Sequence, residues 1–316
     1  MPQARLALVC LLAAASAGAG EKKQLWVYTS IYKEFAAPVK AAFEKLHPDA
    51  EVQIFQGGSE KIQAKVEAEV AAGRVQADLL LTSDPFWGQE LEKRGLLAPL
   101  EGGALNQTNY FSLMVLIVHK DLPAALRPAS FKDLGKPELK NLIQLGSPLE
   151  SGTTFSAVAY LSRKYGWGYF EKLRDNRLAS SGGNSTVIQK VESGEKKVGI
   201  ALLENALAAK KRGSPIEIVY PTDGAIPVPS VQVLLKDSKQ RELALAFAGF
   251  LLSKEGQLLL RDGYMYSVRG DVPAPEGARP LAEVTKASTP WTPELVREVG
   301  AASKDIKKKF AALILE

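Results

Sequence analysis

The chain contains almost no cysteine and very little histidine. Its 316 residues include one cysteine, Cys10, and two histidines, His47 and His119. A disulfide framework is therefore excluded, and two isolated histidines argue against a zinc site. His47 precedes a proline and His119 ends an extended run, so neither indicates a Ser-His-Asp triad. The chain also lacks the G-x-S-x-G and P-loop patterns, which are common signals of hydrolases and nucleotide-binding proteins.

The chain also lacks a strong excess of charge of one sign. Its 40 Lys and Arg residues face 35 Asp and Glu residues, for a net charge of +5. Acidic and basic residues alternate along the predicted surface helices, so we expect no nucleic-acid partner. With 46% hydrophobic residues, the composition is that of a folded protein with room for two domains. We expect the protein to act as a monomer.

Residues 1–20 have the pattern of a secretory signal. Arg5 provides the positive start, Leu6 to Ala15 form an apolar core, and small residues follow up to Gly20. No apolar stretch reaches the roughly 20 residues that a membrane-spanning helix needs. Because Cys10 lies inside the apolar core and not at its end, we expect no lipid anchor. The pattern predicts a soluble periplasmic protein after cleavage near residues 17–20.

The rest of the chain shows the apolar patterns of alternating strands and helices. Leu25–Thr29, Val52–Phe55 and Asp78–Thr82 read as buried strands, separated by segments with apolar residues at helical spacing. This order predicts a parallel sheet with helices on both faces, an α/β fold. A second α/β set follows over 141–220, and the C-terminus is predicted to be helical from Thr292 onward.

Two long extended segments stand out between these sets. Tyr110 to His119 and Ile226 to Leu235 are long enough to run through two lobes. They predict a hinged two-lobe protein with a central cleft. The first lobe is expected over 21–112 and 226–270, and the second over 113–225 and 271–316.

The predicted strand ends carry hydroxyl groups, glycines and acidic side chains at the starts of helices. In open α/β sheets the ligand binds at the carboxyl ends of strands, and helix N-termini attract anions. One such loop alone is most often a simple helix cap; six of them favour a binding site. The predicted binding residues are Thr29, Ser30, Tyr32, Ser59, Glu60, Ser83, Asp84, Ser151, Gly152, Thr153, Thr154, Asn184, Ser185, Glu204 and Asn205.

Several segments occur in an order found in a known family. They are Leu25-Trp-Val-Tyr-Thr-Ser30, Ala77-Asp-Leu-Leu-Leu81, Gly95-Leu-Leu-Ala-Pro-Leu100, Ser151-Gly152, Asn184-Ser185 and Lys254-Glu-Gly-Gln257. This order resembles the periplasmic solute-binding proteins of ABC importers, and most closely the ferric-ion-binding-protein family. The resemblance implies a type II periplasmic binding fold, a membrane permease as partner, no enzymatic activity and no cofactor.

The resemblance also bears on the ligand. The iron carriers of this family bind metal with a tyrosine pair, and the matching positions here hold Glu204 and Asn205. A ferric site would then rest on Tyr32, Asp84 and Glu204. The carboxylate and amide at positions 204 and 205 are weaker ligands for trivalent iron than a tyrosinate pair.

By contrast, Ser151-Gly152 and Asn184 fall where the family holds a phosphate, and Pro221-Thr-Asp-Gly224 is similar to its phosphonate and phosphate-ester branch. The resemblance therefore implies a solute such as 2-aminoethylphosphonate or a sugar phosphate, with ferric ion as the alternative. Glu204, Asp84 and Asp223 are expected to face the ammonium or hydroxyl end of this solute. A secreted hydrolase also stays open, although it would need a nucleophile or a metal.

Overall fold

The structure is a computed structural model that describes residues 21–316. The predicted export signal, residues 1–20, lies outside the described residues. The first part of the described chain alternates strands and helices. Its elements are β1 (Lys23–Thr29), α1 (Lys33–Leu46), β2 (Ala50–Gln56), α2 (Ser59–Ala71), β3 (Leu79–Thr82), α3 (Pro85–Lys93) and β4 (Leu97–Ala98).

The middle and last parts continue the alternation around two long strands. The middle elements are β5 (Gln107–His119), β6 (Ile143–Leu145), α4 (Gly152–Tyr165), α5 (Trp167–Asp175), β7 (Ala179–Ser180), α6 (Asn184–Glu192), β8 (Val198–Leu202), α7 (Leu203–Lys211) and β9 (Ile216–Val219). The last elements are β10 (Ile226–Leu235), α8 (Arg241–Leu252), α9 (Lys254–Asp262), β11 (Tyr266–Ser267), α10 (Leu281–Val284), α11 (Pro293–Ala301) and α12 (Ser303–Phe310).

Helix α1 shows how the apolar spacing sets the local structure. Ala36, Val39 and Phe43 follow one another at three- and four-residue intervals and are buried on one face. The helix ends at Leu46, because Pro48 disfavours the helical conformation in the residue before it. The apolar face thus packs the helix against the sheet, and the proline ends the helix before β2 begins.

The strands of the described chain form one sheet in which two parallel sets flank two antiparallel strands. The order is β2-β1-β3-β10-β5-β8-β6-β7, with β4 on β10 and both β9 and β11 on β5. Strand β1 is parallel to β2 and β3, and β6 is parallel to β7 and β8. Strand β10 is antiparallel to β3 and β5, and β5 is antiparallel to β8. Each parallel set therefore gathers the carboxyl ends of its strands at one edge.

Strands β5 and β10 are shared by both halves of the sheet. The first part of β5, Gln107 to Met114, pairs with β10, and the second part, Met114 to Val118, pairs with β8. Strand β10 also pairs with β3, through Val231 to Leu234. These two strands are the segments that the sequence predicts to run through both lobes.

The buried hydrophobic residues form separate clusters in the two halves of the sheet. One buried cluster includes Phe131, Phe170 and Phe310, and another includes Phe43 and Phe247. The separate clusters support the predicted lobe boundaries after residue 112 and before residue 226. These boundaries stay a proposal.

Some elements differ from the sequence prediction. Strands β4, β7 and β11 have two residues each and α10 has four, which is too short for a periodic pattern to be recognised. The C-terminal segment is helical as predicted, but Ala302 separates it into α11 and α12.

Over residues 21–316, we find no single helix with the length and apolar character needed to cross a membrane. Helices α8 and α9 meet these criteria only as a pair, and the pair is bent by 67°. The apolar residues of α8, including Phe247 and Leu251, are buried against the sheet and α1.

The corner between α8 and α9 holds one fully buried amide. The Gln257 side chain donates to the backbone carbonyl groups of Asn109 and Leu251, each over 2.7 Å. It accepts from the Ser267 hydroxyl at 2.7 Å and from the Val268 N–H at 2.9 Å. One satisfied amide thus joins β5, α8 and β11 to α9.

Gly256→Ala should destabilise this corner. A Cβ at position 256 would overlap the carbonyl oxygen of Phe250 and lie 3.0 Å from the Cα of Leu251. We expect the free energy of unfolding, measured with urea, to fall by about 1–3 kcal/mol. Gly270→Ala is the matched control, because a Cβ there meets no atom within 4 Å. Equal stability of the two variants would contradict the close approach.

Candidate ligand-binding site

A cavity of about 250 Å³ lies between the two edges at which the parallel strands end. Its walls carry side chains from the ends of β1, β2, β3 and β8 and from the loops before α4 and α6. The lining residues are Ser30, Ile31, Tyr32, Phe35, Gln56, Gly58, Ser59, Ser83, Tyr110, Glu150, Ser151, Gly152, Thr153, Gly183, Asn184, Ser185, Leu202, Glu204 and Met265.

Five helices begin at this cavity. The residues that precede α1, α2, α4, α6 and α7 are Tyr32, Gly58, Ser151, Gly183 and Leu202, and all five line it. The first N–H groups of a helix have no acceptor within the helix, and each N-terminus carries about half a positive charge. The cavity therefore gathers the N–H donors and the positive ends of five helices.

Among the described residues that line the cavity, none is Lys, Arg or His. The lining residues include two carboxylic acids, Glu150 and Glu204. An anion in this cavity would therefore be held by helix N-termini and hydroxyl groups without a direct ion pair.

The start of α4 is tied to the start of α6 by side chains. The Ser151 hydroxyl accepts from the Thr154 N–H at 3.3 Å and lies 3.1 Å from the Thr153 hydroxyl. The Asn184 amide donates to the Thr153 hydroxyl at 2.8 Å, and its oxygen accepts from the Leu202 N–H at 3.1 Å. Asn184 thus fixes the position of Thr153 from the end of β8.

The opposite wall holds a cluster of hydroxyl groups. The Ser83 hydroxyl lies 2.7 Å from Ser230, 3.1 Å from Ser30 and 3.3 Å from Tyr110. The Ser83 N–H also donates to the Ser30 hydroxyl at 3.0 Å. Because hydroxyl groups both donate and accept, this cluster can reorient toward either kind of ligand atom.

Glu204 is the buried acidic group of the cavity. The residue is 5% exposed. One carboxylate oxygen accepts from the Ser112 hydroxyl at 2.6 Å, and the other, Oε2, is buried with no hydrogen-bond partner among the described residues. Burial raises the pKa of Glu204 to about 7, and the Ser112 hydrogen bond opposes this shift. A buried acceptor without a donor is unfavourable, so this oxygen is suited to an ammonium or hydroxyl group of a ligand.

The two sides of the cavity touch each other. The Ser185 hydroxyl donates to the Tyr32 hydroxyl at 3.2 Å. A Cβ at Gly152 would lie 2.9 Å from the Cβ of Ser59 and 3.1 Å from that of Asp84. Burial raises the pKa of Tyr32, and the nearby side chains of Ser185 and Asn205 lower it in part. The described conformation is therefore closed around the cavity.

Ten of the sixteen predicted binding residues line the cavity. They are Ser30, Tyr32, Ser59, Ser83, Ser151, Gly152, Thr153, Asn184, Ser185 and Glu204. The structure thus brings most of the predicted set together, and ligand binding by these residues stays a prediction.

The other six are placed differently, and three of these have roles in the backbone of nearby loops. The Thr29 hydroxyl accepts from the Ile31 N–H at 3.0 Å. The Asp223 carboxylate accepts from the N–H groups of Phe131 and Lys132, each at 3.1 Å, and also from a tyrosine hydroxyl. Asp84 caps α3, where it accepts from two N–H groups at 3.0 and 3.1 Å. We therefore remove these three side chains from the proposed site.

The remaining three also lie outside the lining. The Glu60 carboxylate accepts from Lys307 at 2.7 Å. The Thr154 side chain is buried next to Gly146, on the far side of the first turn of α4. Asn205 follows Glu204 in α7 and is half-buried beside Tyr32.

The ferric set Tyr32, Asp84 and Glu204 stays an alternative prediction. Tyr32 and Glu204 line the cavity, whereas Asp84 lies outside the lining and uses one carboxylate oxygen, Oδ1, to accept from two N–H groups at the start of α3. Within residues 21–316 there is no group of three or more His, Cys, Asp or Glu residues placed to hold a metal ion. We derive no metal chemistry at this site.

Sequence reasoning missed several residues of the site. Tyr110 and Ser230 join the hydroxyl cluster, and Ser112 holds Glu204. Their signal was present, because each is a polar residue inside an apolar run of β5 or β10. Phe35 and Met265 carry no comparable signal, since apolar side chains of this kind are usually core residues.

Comparison with known proteins agrees with this architecture. Residues 25–265 match the family model of the bacterial extracellular solute-binding protein. The match spans more than half of the chain, which therefore belongs to this family. A Salmonella paratyphi A relative, whose name proposes 2-aminoethylphosphonate binding in the periplasm, is 26% identical over 98% of both chains.

Solved structures show the same fold. The periplasmic binding protein AfuA of Actinobacillus pleuropneumoniae, with bound fructose-6-phosphate, has a TM-score of 0.79 at 23% identity and covers 92% of this chain and 98% of its own. Iron-bound HitA of Pseudomonas aeruginosa has a TM-score of 0.77 at 22% identity and covers 91% and 99%. The predicted two-lobe type II fold with a central cleft is confirmed.

Glu204→Gln should change how stability depends on pH. The pKa of this carboxyl group is raised from 4.5 to about 7 in the folded protein. Its contribution to stability is thus present below pH 4.5 and is lost as the pH rises through 7. The unfolding free energy of the ligand-free wild type, relative to the variant, should fall by about 2–4 kcal/mol between these limits. A difference that does not change with pH would show that Glu204 is not desolvated.

Gly152→Ala should hinder closure of the cleft. The added methyl group would meet Ser59 and Asp84 across the cavity. Small-angle scattering should give a larger radius of gyration for this variant than for the wild type. Gly168→Ala in α5, where the nearest atom is 3.9 Å away, is the control. An unchanged radius for Gly152→Ala would contradict the observed contact.

Proposed function

We propose that this chain is the periplasmic ligand-binding component of an ABC importer and captures a small organic phosphoryl solute. The ligand is a phosphonate or a phosphate ester, such as 2-aminoethylphosphonate or a sugar phosphate. The observation that carries the proposal is the convergence of five helix N-termini on a cavity that also contains the unpartnered oxygen of Glu204.

The anionic end of the ligand is assigned to the helix N-termini. Ser151, Thr153 and Asn184 hold the starts of α4 and α6 in place, and their hydroxyl and amide groups lie at the first turns of these helices. A tetrahedral phosphoryl group offers several acceptor oxygens, so it can use many converging donors at once.

The other end of the ligand is assigned to Glu204. Its free oxygen requires a donor, which an ammonium or a sugar hydroxyl group provides. Inorganic phosphate can donate to this oxygen only through a protonated P–OH group, and otherwise leaves it unsatisfied. The site therefore favours an ester or a phosphonate that has a donor group at some distance from the phosphorus.

The names of relatives support the same assignment. The Salmonella paratyphi A relative carries 2-aminoethylphosphonate binding in its name, and the AfuA structure contains fructose-6-phosphate. The predicted export signal and the periplasmic naming of these proteins support a periplasmic location. A membrane permease is the partner that this role requires, and solute capture requires no catalytic step.

A panel of ligands tests the proposal on the wild type and on Glu204→Gln. The panel contains 2-aminoethylphosphonate, ethylphosphonate, inorganic phosphate, several sugar phosphates and ferric citrate. We expect a phosphorylated organic solute with a donor group to raise the melting temperature of the wild type. Calorimetry should then show a loss of about tenfold or more in Glu204→Gln, because a hydrogen bond to a charged group is lost.

Ethylphosphonate and inorganic phosphate are the internal controls. Neither has an amine or a sugar hydroxyl group, so both should bind the wild type and Glu204→Gln about equally. Stabilisation by ferric citrate alone would overturn the organic phosphoryl assignment. Turnover of a phosphate ester by the wild type would instead establish the hydrolase alternative.

A further inference from the structure

The C-terminal helices contact elements from both proposed lobes. Helix α11 packs on α3, and α12 packs on α4. Trp291, just before α11, contacts Phe86 of α3 with ring centres 5.3 Å apart and Tyr160 of α4 at 6.0 Å. The chain therefore ends in a segment that lies across the boundary between the lobes.

Lys307 of α12 joins the helices that begin on opposite sides of the cavity. Its Nζ atom lies 2.7 Å from the Glu60 carboxylate and 4.9 Å from the centre of the Phe155 ring. Glu60 is the second residue of α2, and Phe155 is the fourth residue of α4. Lys307 thus contacts the first turn of α2 and that of α4 from behind, where neither contact lines the cavity.

The surroundings make this ion pair stronger than an exposed one. The side chains of Lys307 and Glu60 are 20% and 16% exposed. Burial raises the pKa of Asp84 to about 6; the charge of Glu60 adds to this shift, and that of Lys307 opposes it. Lys307 therefore pairs with Glu60 and its charge also acts on the buried Asp84, in a poorly solvated place where an uncompensated charge is costly.

We propose that Lys307 is a positioning residue that holds the N-termini of α2 and α4 together in the closed state. It does not touch the ligand. It raises the population of the closed conformation, and the apparent affinity rises in proportion to that population. This inference rests on closure of the cleft in the proposed function, but part of its test needs no ligand.

The ligand-free part of the test measures the distance between the lobes. Residues 21–316 contain no cysteine, so spin labels can be placed at Glu34→Cys in α1 and Gln189→Cys in α6, both exposed sites. Lys307→Met and Glu60→Gln, each made in the labelled protein, should shift the distribution of electron–electron distances to larger values. Lys307→Arg should restore the wild-type distribution.

Lys309→Met is the matched control. Lys309 lies on the same helix and has its Nζ atom 4.9 Å from the ring of Trp167, in α5 of the second lobe. It should leave the distances unchanged. The double variant Lys307→Met with Glu60→Gln should open the lobes no further than the single variants, because all three lose the same interaction and only the single variants leave one charge without its partner. Urea unfolding of every variant shows whether the fold is kept.

The ligand part uses 2-aminoethylphosphonate and inorganic phosphate as probes. For any probe that binds the wild type, we expect Lys307→Met to lower the affinity about tenfold, mainly through faster dissociation. If neither probe binds the wild type, 2-aminoethylphosphonate is excluded as the ligand, while the distance measurement still decides the role of Lys307. Distances in Lys307→Met and Glu60→Gln that equal those of the wild type and Lys309→Met would overturn the inference.

Discussion

The pairing of β5 with β10 is the constraint on which the rest of the structure depends. Both strands continue past this pairing, so β5 also joins the second parallel set and β10 the first. Because the two sets are tied by the same two strands, their carboxyl ends meet across one cavity. The site therefore needs no long loops: the sheet itself brings the five helix N-termini into one place.

The electrostatics of this cavity follow from what is buried there. A buried lysine or arginine would be costly in the ligand-free protein, whereas helix N-termini provide positive potential as part of the backbone. Glu204 is the exception, because its burial raises its pKa to about 7. The ligand-free protein carries this unfavourable acid, and a ligand that donates to Oε2 relieves it. In the proposed site, affinity and selectivity for a donor group therefore arise from the same side chain.

Much of this arrangement could be predicted from local patterns. The runs around Leu25 and Val198 identified strands, and the polar residues at strand ends and helix starts identified ten of the cavity residues. Three-dimensional context decided the rest. Asp84 and Asp223 look like ligand groups in the sequence, but N–H groups donate to one oxygen of Asp84 and to both oxygens of Asp223. Lys307 and its partner Glu60 are 247 positions apart in the sequence. No pattern within one segment can predict such a pair.

The central claim is that the cleft binds an organic phosphoryl group with helix N-termini and satisfies Glu204 at the other end. Native mass spectrometry of the exported protein, purified without denaturation from its own cells, tests this most directly. We expect a bound species that contains phosphorus together with an amine or hydroxyl groups and that is released when the protein unfolds. A bound ferric ion, or a bound solute without phosphorus, would contradict the claim.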